Sequence, residues 1–233
     1  MIKEVINKLN MELPATVKLV AVSKFHPFEA IQEAYEAGQR AFGESRPQEL
    51  IAKVNRLEEL RAERGEPDYM SDLEWHFIGH LQTNKLKMVL PYVSLVQSVD
   101  SLRLLEAIDR WGKANGKVTD VLLECHVAAE ESKQGFSQQE LVDLLSSDVH
   151  FANIRICGVM GMATFTDDEN VIRADFQRIL DRQQVLHDWI GKSPNVCPGC
   201  NEISMGMSDD YPIAAEMGST IVRIGSMIFG ERR

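Results

Sequence analysis

A lysine closes an apolar run near the start of the chain: Val17-Lys18-Leu19-Val20-Ala21-Val22-Ser23-Lys24, followed by Phe25-His26-Pro27. In a strand alternate side chains share a face, so Val20, Val22 and Lys24 point the same way. The ammonium group then stands at the carboxyl end of a greasy stripe, which is where barrel enzymes keep their chemistry. Partial desolvation lowers the pKa of such a lysine, and its neutral amine can attack an aldehyde. The alternative is that Lys24 marks the point where a strand meets water.

A second group of candidates sits at the far end of the chain. Ser204-Met205-Gly206-Met207-Ser208 leads into Asp209-Asp210-Tyr211-Pro212, a helix-start sequence. Further on, Gly218-Ser219-Thr220 opens an apolar run that ends in Gly225-Ser226. Two small-residue turns after the last two strands of a barrel suit a phosphate, held by backbone amides and hydroxyls. Ser204, Gly206, Gly225 and Ser226 are the candidates, against the reading that Gly and Ser simply make turns. Arg223 alternates with Ile221 and Gly225; facing inward, it needs either an internal salt bridge or a ligand.

Other reactive side chains carry less. His76 and His80 flank Phe77-Ile78-Gly79 on a strand-like segment with no third ligand in view, so a polar lining or packing role is expected. Cys197-Pro198-Gly199-Cys200 has C-x-x-C spacing but no second pair, and reads as an incidental surface turn. No Ser-His-Asp elbow, P-loop or G-x-G-x-x-G stands where it would be needed.

These residues need elements to position them. Strand-like segments occur at 17–23, 40–44, 74–79, 93–98, 118–127, 154–163, 201–205 and 220–225. Helical stripes fill most gaps: Leu50, Val54 and Leu57; then Leu105, Ile108 and Trp111, with Gly112 read as the start of a helix end. The longest runs from Ile172 through Phe176, Ile179, Gln183 and Leu186 to Ile190. Strand–helix alternation predicts parallel strands under covering helices, and eight units predict one (β/α)8 TIM barrel spanning 1–233. A doubly wound open sheet is the alternative.

Composition narrows the function classes. The 233 residues carry a net charge of −10, which disfavours a nucleic-acid surface. No apolar run approaches the roughly 20 residues needed to span a bilayer, and Met1 to Asn7 lacks a signal-peptide core. A cytoplasmic monomer with no membrane partner is expected.

Several stretches together resemble the pyridoxal phosphate homeostasis proteins, relatives of the alanine racemase amino-terminal barrel. They are Val20 to Lys24, Phe42-Gly43-Glu44, His76 to Lys85, Ser98 to Ser101, Glu131 to Phe136, Ser204 to Ser208, Gly218 to Gly225 and Ile228 to Arg232. The resemblance implies that Lys24 forms an internal aldimine with pyridoxal 5′-phosphate. It further implies that the phosphate lies against Ser204, Gly225 and Ser226, and that Arg223 approaches the pyridine nitrogen. An arginine cannot readily give up a proton, so that nitrogen stays unprotonated and the cofactor is a poor electron sink. Two departures stand out. Ser45-Arg46-Pro47 follows Glu44 where the family has Asn-Tyr, and Phe25-His26 replaces a small residue and a second lysine.

The resemblance thus implies a cofactor carrier without catalytic residues, acting in intracellular vitamin B6 homeostasis and delivering its cargo to apo-enzymes that depend on it. A weakly active amino-acid racemase is the alternative. Racemases of this barrel type add a domain that supplies a tyrosine acid/base, and Tyr35, Tyr69, Tyr92 and Tyr211 have no evident role of that kind. A Schiff-base aldolase barrel would leave the sequence match unexplained.

Overall fold

The apolar segments form eight parallel strands: β1 (Lys18–Val22), β2 (Ala41–Glu44), β3 (Glu74–Phe77), β4 (Leu95–Val99), β5 (Thr119–Glu124), β6 (Ile154–Met160), β7 (Glu202–Ser204) and β8 (Ile221–Ile224). In the computed structural model they pair in sequence order and close, β8 returning to β1 through Lys18↔Ile221 to Ala21↔Ile224. The structure describes residues 1–127 and 135–230. Most of the Glu131 to Phe136 stretch, and Glu231 and Arg232, lie outside the described residues.

The helices are α1 (Ile2–Glu12), α2 (Phe28–Glu36), α3 (Pro47–Arg64), α4 (Leu86–Val89), α5 (Leu102–Asn115), α6 (Gln138–Ser146), α7 (Glu169–Asp188), α8 (Tyr211–Glu216) and α9 (Ser226–Phe229). Their apolar stripes, such as Leu50, Val54 and Leu57 on α3 or Ile172, Phe176 and Ile179 on α7, pack on the outward side chains of the strands. A closed sheet covered by helices explains why the strands read as continuous apolar runs. The open-sheet alternative is excluded by the β1–β8 pairing.

Inside the barrel, Val20, Ala41, Leu95, Leu122, Met160 and Ile221 form a separate apolar layer. It divides two polar ends. Below it, at the amino ends of the strands, Lys18 pairs with Glu74 at 2.9 Å and Arg155 clamps Asp120 at 2.8 and 2.6 Å. Above it lie Lys24 and Arg223.

One local expectation is corrected. Gly112 lies inside α5, which runs on to Asn115 and ends at Gly116 in the left-handed conformation (φ 64°). A Cβ on Gly112 would meet the Lys117 carbonyl oxygen at 2.5 Å and Asn153 Cβ at 2.6 Å, so this glycine serves close packing. On β6 the pairing shifts register opposite Val121 and Leu122, so Cys157 and Met160 both reach the interior although they are three residues apart.

Candidate functional site

The upper mouth holds a cavity of about 310 Å³ at the carboxyl ends of the strands. Lys24, Arg223, Gly225 and Ser226 line it, together with Ser208 and His26; Val22, Ile78, Met160 and Met162 supply apolar walls. Four of the six candidate residues therefore meet in one place. Parity along β8 turns Arg223 inward between Ile221 and Gly225, and Lys24 enters from the turn two residues past Val22, where β1 ends.

Ser204 and Gly206 do not line this cavity. The Ser204 side chain is fully buried, donating to Gln97 Oε1 at 2.6 Å and accepting from Arg223 Nη1 at 2.5 Å. Gly206 makes the turn instead: its φ is +96°, and an added Cβ would lie 2.5 Å from Ala214 Cβ. Ser208, four residues beyond Ser204, is the hydroxyl that reaches the cavity, where Ser226 Oγ donates to it at 3.0 Å.

Lys24 is half-buried and rests on a braced turn. The Lys53 ammonium group on α3 donates to the Ser23 carbonyl at 2.8 Å and to Glu44 Oε1 at 2.5 Å. Ser23 Oγ donates to the same carboxylate oxygen at 2.6 Å. Burial outweighs Lys53 and pushes the Glu44 carboxyl above the usual range. Immediately after Lys24, Phe25 takes a left-handed φ of 69°, uncommon for a bulky residue. Its N–H donates to Glu49 at 2.8 Å, and the Arg46 guanidinium lies 4.3 Å above its ring. The two departures noted in the sequence, Phe25 and Arg46, thus touch each other.

Arg223 is buried, and its partners are the neutral Ser204 hydroxyl and the Gly161 carbonyl at 2.9 Å. Among the described residues no carboxylate reaches it at salt-bridge distance, so the internal-salt-bridge alternative falls away. Burial lowers its pKa to about 10, which still leaves it cationic and a pure donor at neutral pH.

Glu124 is a polar residue of this region that the sequence alone did not single out. Glu124 shares the inward face of β5 with Asp120 and Leu122, and burial, with the neighbouring Asp100 charge, pushes its carboxyl up to about 7. His80 contacts Asp100 at 3.0 Å. The signal for Glu124 was its parity with Leu122. His76 is buried, with Gln97 at 2.8 Å, in the packing role expected of it.

The lower mouth holds a larger cavity of about 600 Å³, lined by Lys18, Glu74, Asp120, Arg155, Cys157 and Cys197. Its cations are already paired with carboxylates, and barrel chemistry sits at the opposite face, so size does not mark the site here. The C-x-x-C segment turns at the surface through exposed Pro198 and Gly199, as expected, while Cys200 at its end is fully buried, its thiol pushed up to about 12 by burial. All four cysteines are free thiols. No helix among the described residues is long and apolar enough to cross a membrane.

Known proteins give the arrangement a context. The chain matches the family described as alanine racemase, N-terminal domain, over residues 2–233. It is 37% identical over 216 residues to the pyridoxal phosphate homeostasis protein of Aquifex aeolicus, covering 93% of this chain and 87% of that one. The human protein of the same name is 35% identical over 239 residues, covering 99% and 82%. Among solved structures, PipY of Synechococcus elongatus with PLP bound superposes with a TM-score of 0.83 at 33% identity, covering 99% of this chain and all of that one. With a closed eight-stranded barrel of that type and this degree of identity along its length, the chain belongs to the pyridoxal phosphate homeostasis protein family.

Proposed function

We propose that the chain holds pyridoxal 5′-phosphate in the upper cavity, tethered to Lys24 as an internal aldimine, and delivers it to apo-enzymes within the cell. The observation that carries this reading is that an amine, an obligate donor and a hydroxyl pair line one cavity: Lys24, Arg223, and Ser208 with Ser226. A pyridine ring that carries an aldehyde and, separately, a phosphate ester offers each of those three a partner. The names of the relatives and the PLP bound to PipY support the same reading.

The residues fit the group. The Lys24 amine bonds to the aldehyde carbon, and its two protons leave with the aldehyde oxygen as water. At Gly225 a Cβ would lie 3.1 Å from the Val22 carbonyl oxygen and 3.2 Å from Val22 Cβ, so the bare backbone lets the chain leaving β8 pack closely against the end of β1 at the rim of the cavity. Ser226 begins the short α9, whose Ile228 and Phe229 amides already donate to the Gly225 carbonyl, so only the Ser226 and Met227 amides are left to face a phosphate, with the Ser208 hydroxyl beside Ser226. Ser208 replaces Ser204 as the phosphate-side serine, because Ser204 is committed to Gln97 and Arg223. Gly206 serves by shaping the turn between the two.

Weak catalysis follows from what surrounds the ring. Arg223 stays a donor, so a ring nitrogen beside it remains unprotonated and draws little charge from a carbanion. None of the four tyrosines lines the cavity among the described residues. One observation favours the racemase-like alternative: His26 lines the cavity, and burial, aided by Lys53, lowers its pKa and keeps it an available base.

The test is spectroscopic. The loaded protein is expected to be yellow with an aldimine absorption band, and Lys24→Ala is expected to abolish that band. An unchanged band in the variant would overturn the tether. Cofactor transfer to an apo-enzyme supports delivery, whereas rapid turnover of a free amino acid would replace it with the enzyme reading.

A further inference from the structure

A single chain of polar side chains crosses the barrel interior beneath the cavity. It runs from Arg223 to Ser204 (2.5 Å), to Gln97 (2.6 Å), to His76 (2.8 Å), and then to Glu74 (3.6 Å), which Lys18 holds at 2.9 Å. Five strands contribute: β8, β7, β4, β3 and β1. Arg223, Ser204, Gln97 and His76 are all buried.

Its direction is fixed by chemistry. An arginine can only donate, so Ser204 Oγ accepts from Arg223 and must give its own proton to Gln97. The Gln97 atom facing Ser204 is therefore the carbonyl oxygen, and the amide nitrogen donates to His76 Nδ1. His76 Nδ1 is then unprotonated, and a neutral imidazole carries its proton on Nε2, toward the Glu74 carboxylate. Burial keeps His76 neutral, while His76 and Lys18 push Glu74 down to about 2. Each donor points from the upper site toward the lower mouth, and each buried polar atom on the way depends on the one before it.

We infer that Ser204, Gln97 and His76 are positioning residues, which hold the Arg223 guanidinium in the orientation that presents its remaining donors to the cavity. The inference rests on the proposed placement of Arg223 against the cofactor ring. A guanidinium on a long side chain has many rotamers, and burial alone does not choose among them. The Ser204 acceptor and the Gly161 carbonyl choose, and Ser204 can accept only while Gln97 takes its proton. Gln97 in turn is locked by His76.

The experiment loads each variant with cofactor labelled with ¹⁵N in the ring and reads the nitrogen resonance, alongside the dissociation constant and the mass of the borohydride-reduced Lys24 peptide. Arg223→Met sets the full shift. Ser204→Ala, Gln97→Leu and His76→Phe are expected to move the resonance in the same direction and to weaken binding about tenfold, with the reduced adduct still on Lys24. His76→Gln keeps an acceptor for Gln97 and is expected to restore most of the signal lost in His76→Phe. Ser204→Ala removes one atom only and serves if the larger changes unfold the barrel. If Arg223→Met leaves the resonance unmoved, the functional reading of Arg223 fails. If it moves the resonance while Ser204→Ala and Gln97→Leu leave it at the wild-type position, the positioning chain alone is refuted.

Discussion

Replacing Lys53 by methionine removes the brace under Lys24 while keeping most of the side-chain volume. Lys53 and Glu44 are 7% and 0% exposed, and the ammonium group bonds both Glu44 and the Ser23 carbonyl. The second Glu44 oxygen, Oε2, is buried with no hydrogen-bond partner, so Lys53 and Ser23 carry the whole compensation for that charge. Breaking a buried pair from one side costs about 3–5 kcal/mol. The cost should fall near 3 kcal/mol at pH 8, because the carboxyl escapes part of the penalty by taking up a proton. For a chain of this size that corresponds to a fall in Tm of roughly 6–12 °C.

The sign of the pH dependence follows from the direction of the shift. Glu44 already has a raised pKa in the folded state, so its contribution is present below the unfolded value and lost as pH rises through the folded one. Without Lys53 the folded value rises further. The deficit of Lys53→Met is therefore expected to be small at pH 5 and full at pH 8, measured by urea unfolding with unchanged m-values. Adding Glu44→Gln should recover at least half of the loss, since no charge is then stranded. A deficit below about 1 kcal/mol at pH 8, equal deficits at both pH values, or no recovery in the double variant would show that Lys53 does not compensate a buried Glu44 charge.

Two further tests address the upper site. Glu124, at about 7, contributes stability that is present below its unfolded value and lost as pH rises past 7, roughly 3 kcal/mol in all. Glu124→Gln is expected to flatten the fall in stability between pH 5 and pH 9, and an unaltered slope would exclude Glu124 as its source. The double variant Ser208→Ala, Ser226→Ala is expected to weaken the phosphorylated cofactor about 10–100-fold while leaving unphosphorylated pyridoxal unaffected in a binding titration. Equal loss for both ligands would place the phosphate elsewhere.

The barrel was legible because parallel strands covered by helices are apolar on both faces, so Val17 to Val22 and Leu95 to Val99 stand out as runs. Parity then placed Lys24, Arg223 and Gly225 on the inner face. Parity gives the face but not the depth. Ser204 points inward as expected, yet it lies a layer below the cavity, capped by Arg223 and Gln97, and depth depends on how the strands stagger around the barrel. The same gap hid Ser208, which reaches the cavity from a loop that no periodicity describes. Gln97 was readable in principle, as a polar residue in phase with Leu95 within an apolar strand. Gly112 was misread because a glycine that admits Asn153 against a helix looks in sequence like one that ends it.

Chemical trapping separates Lys24, the proposed tether, from every other lysine of the chain. The protein loaded with pyridoxal 5′-phosphate is reduced with borohydride, digested, and its peptides weighed. One stoichiometric phosphopyridoxyl adduct on Lys24 is expected, and its loss in Lys24→Ala. A stoichiometric adduct on a different lysine, or none while the cofactor remains bound, would contradict the tether at Lys24.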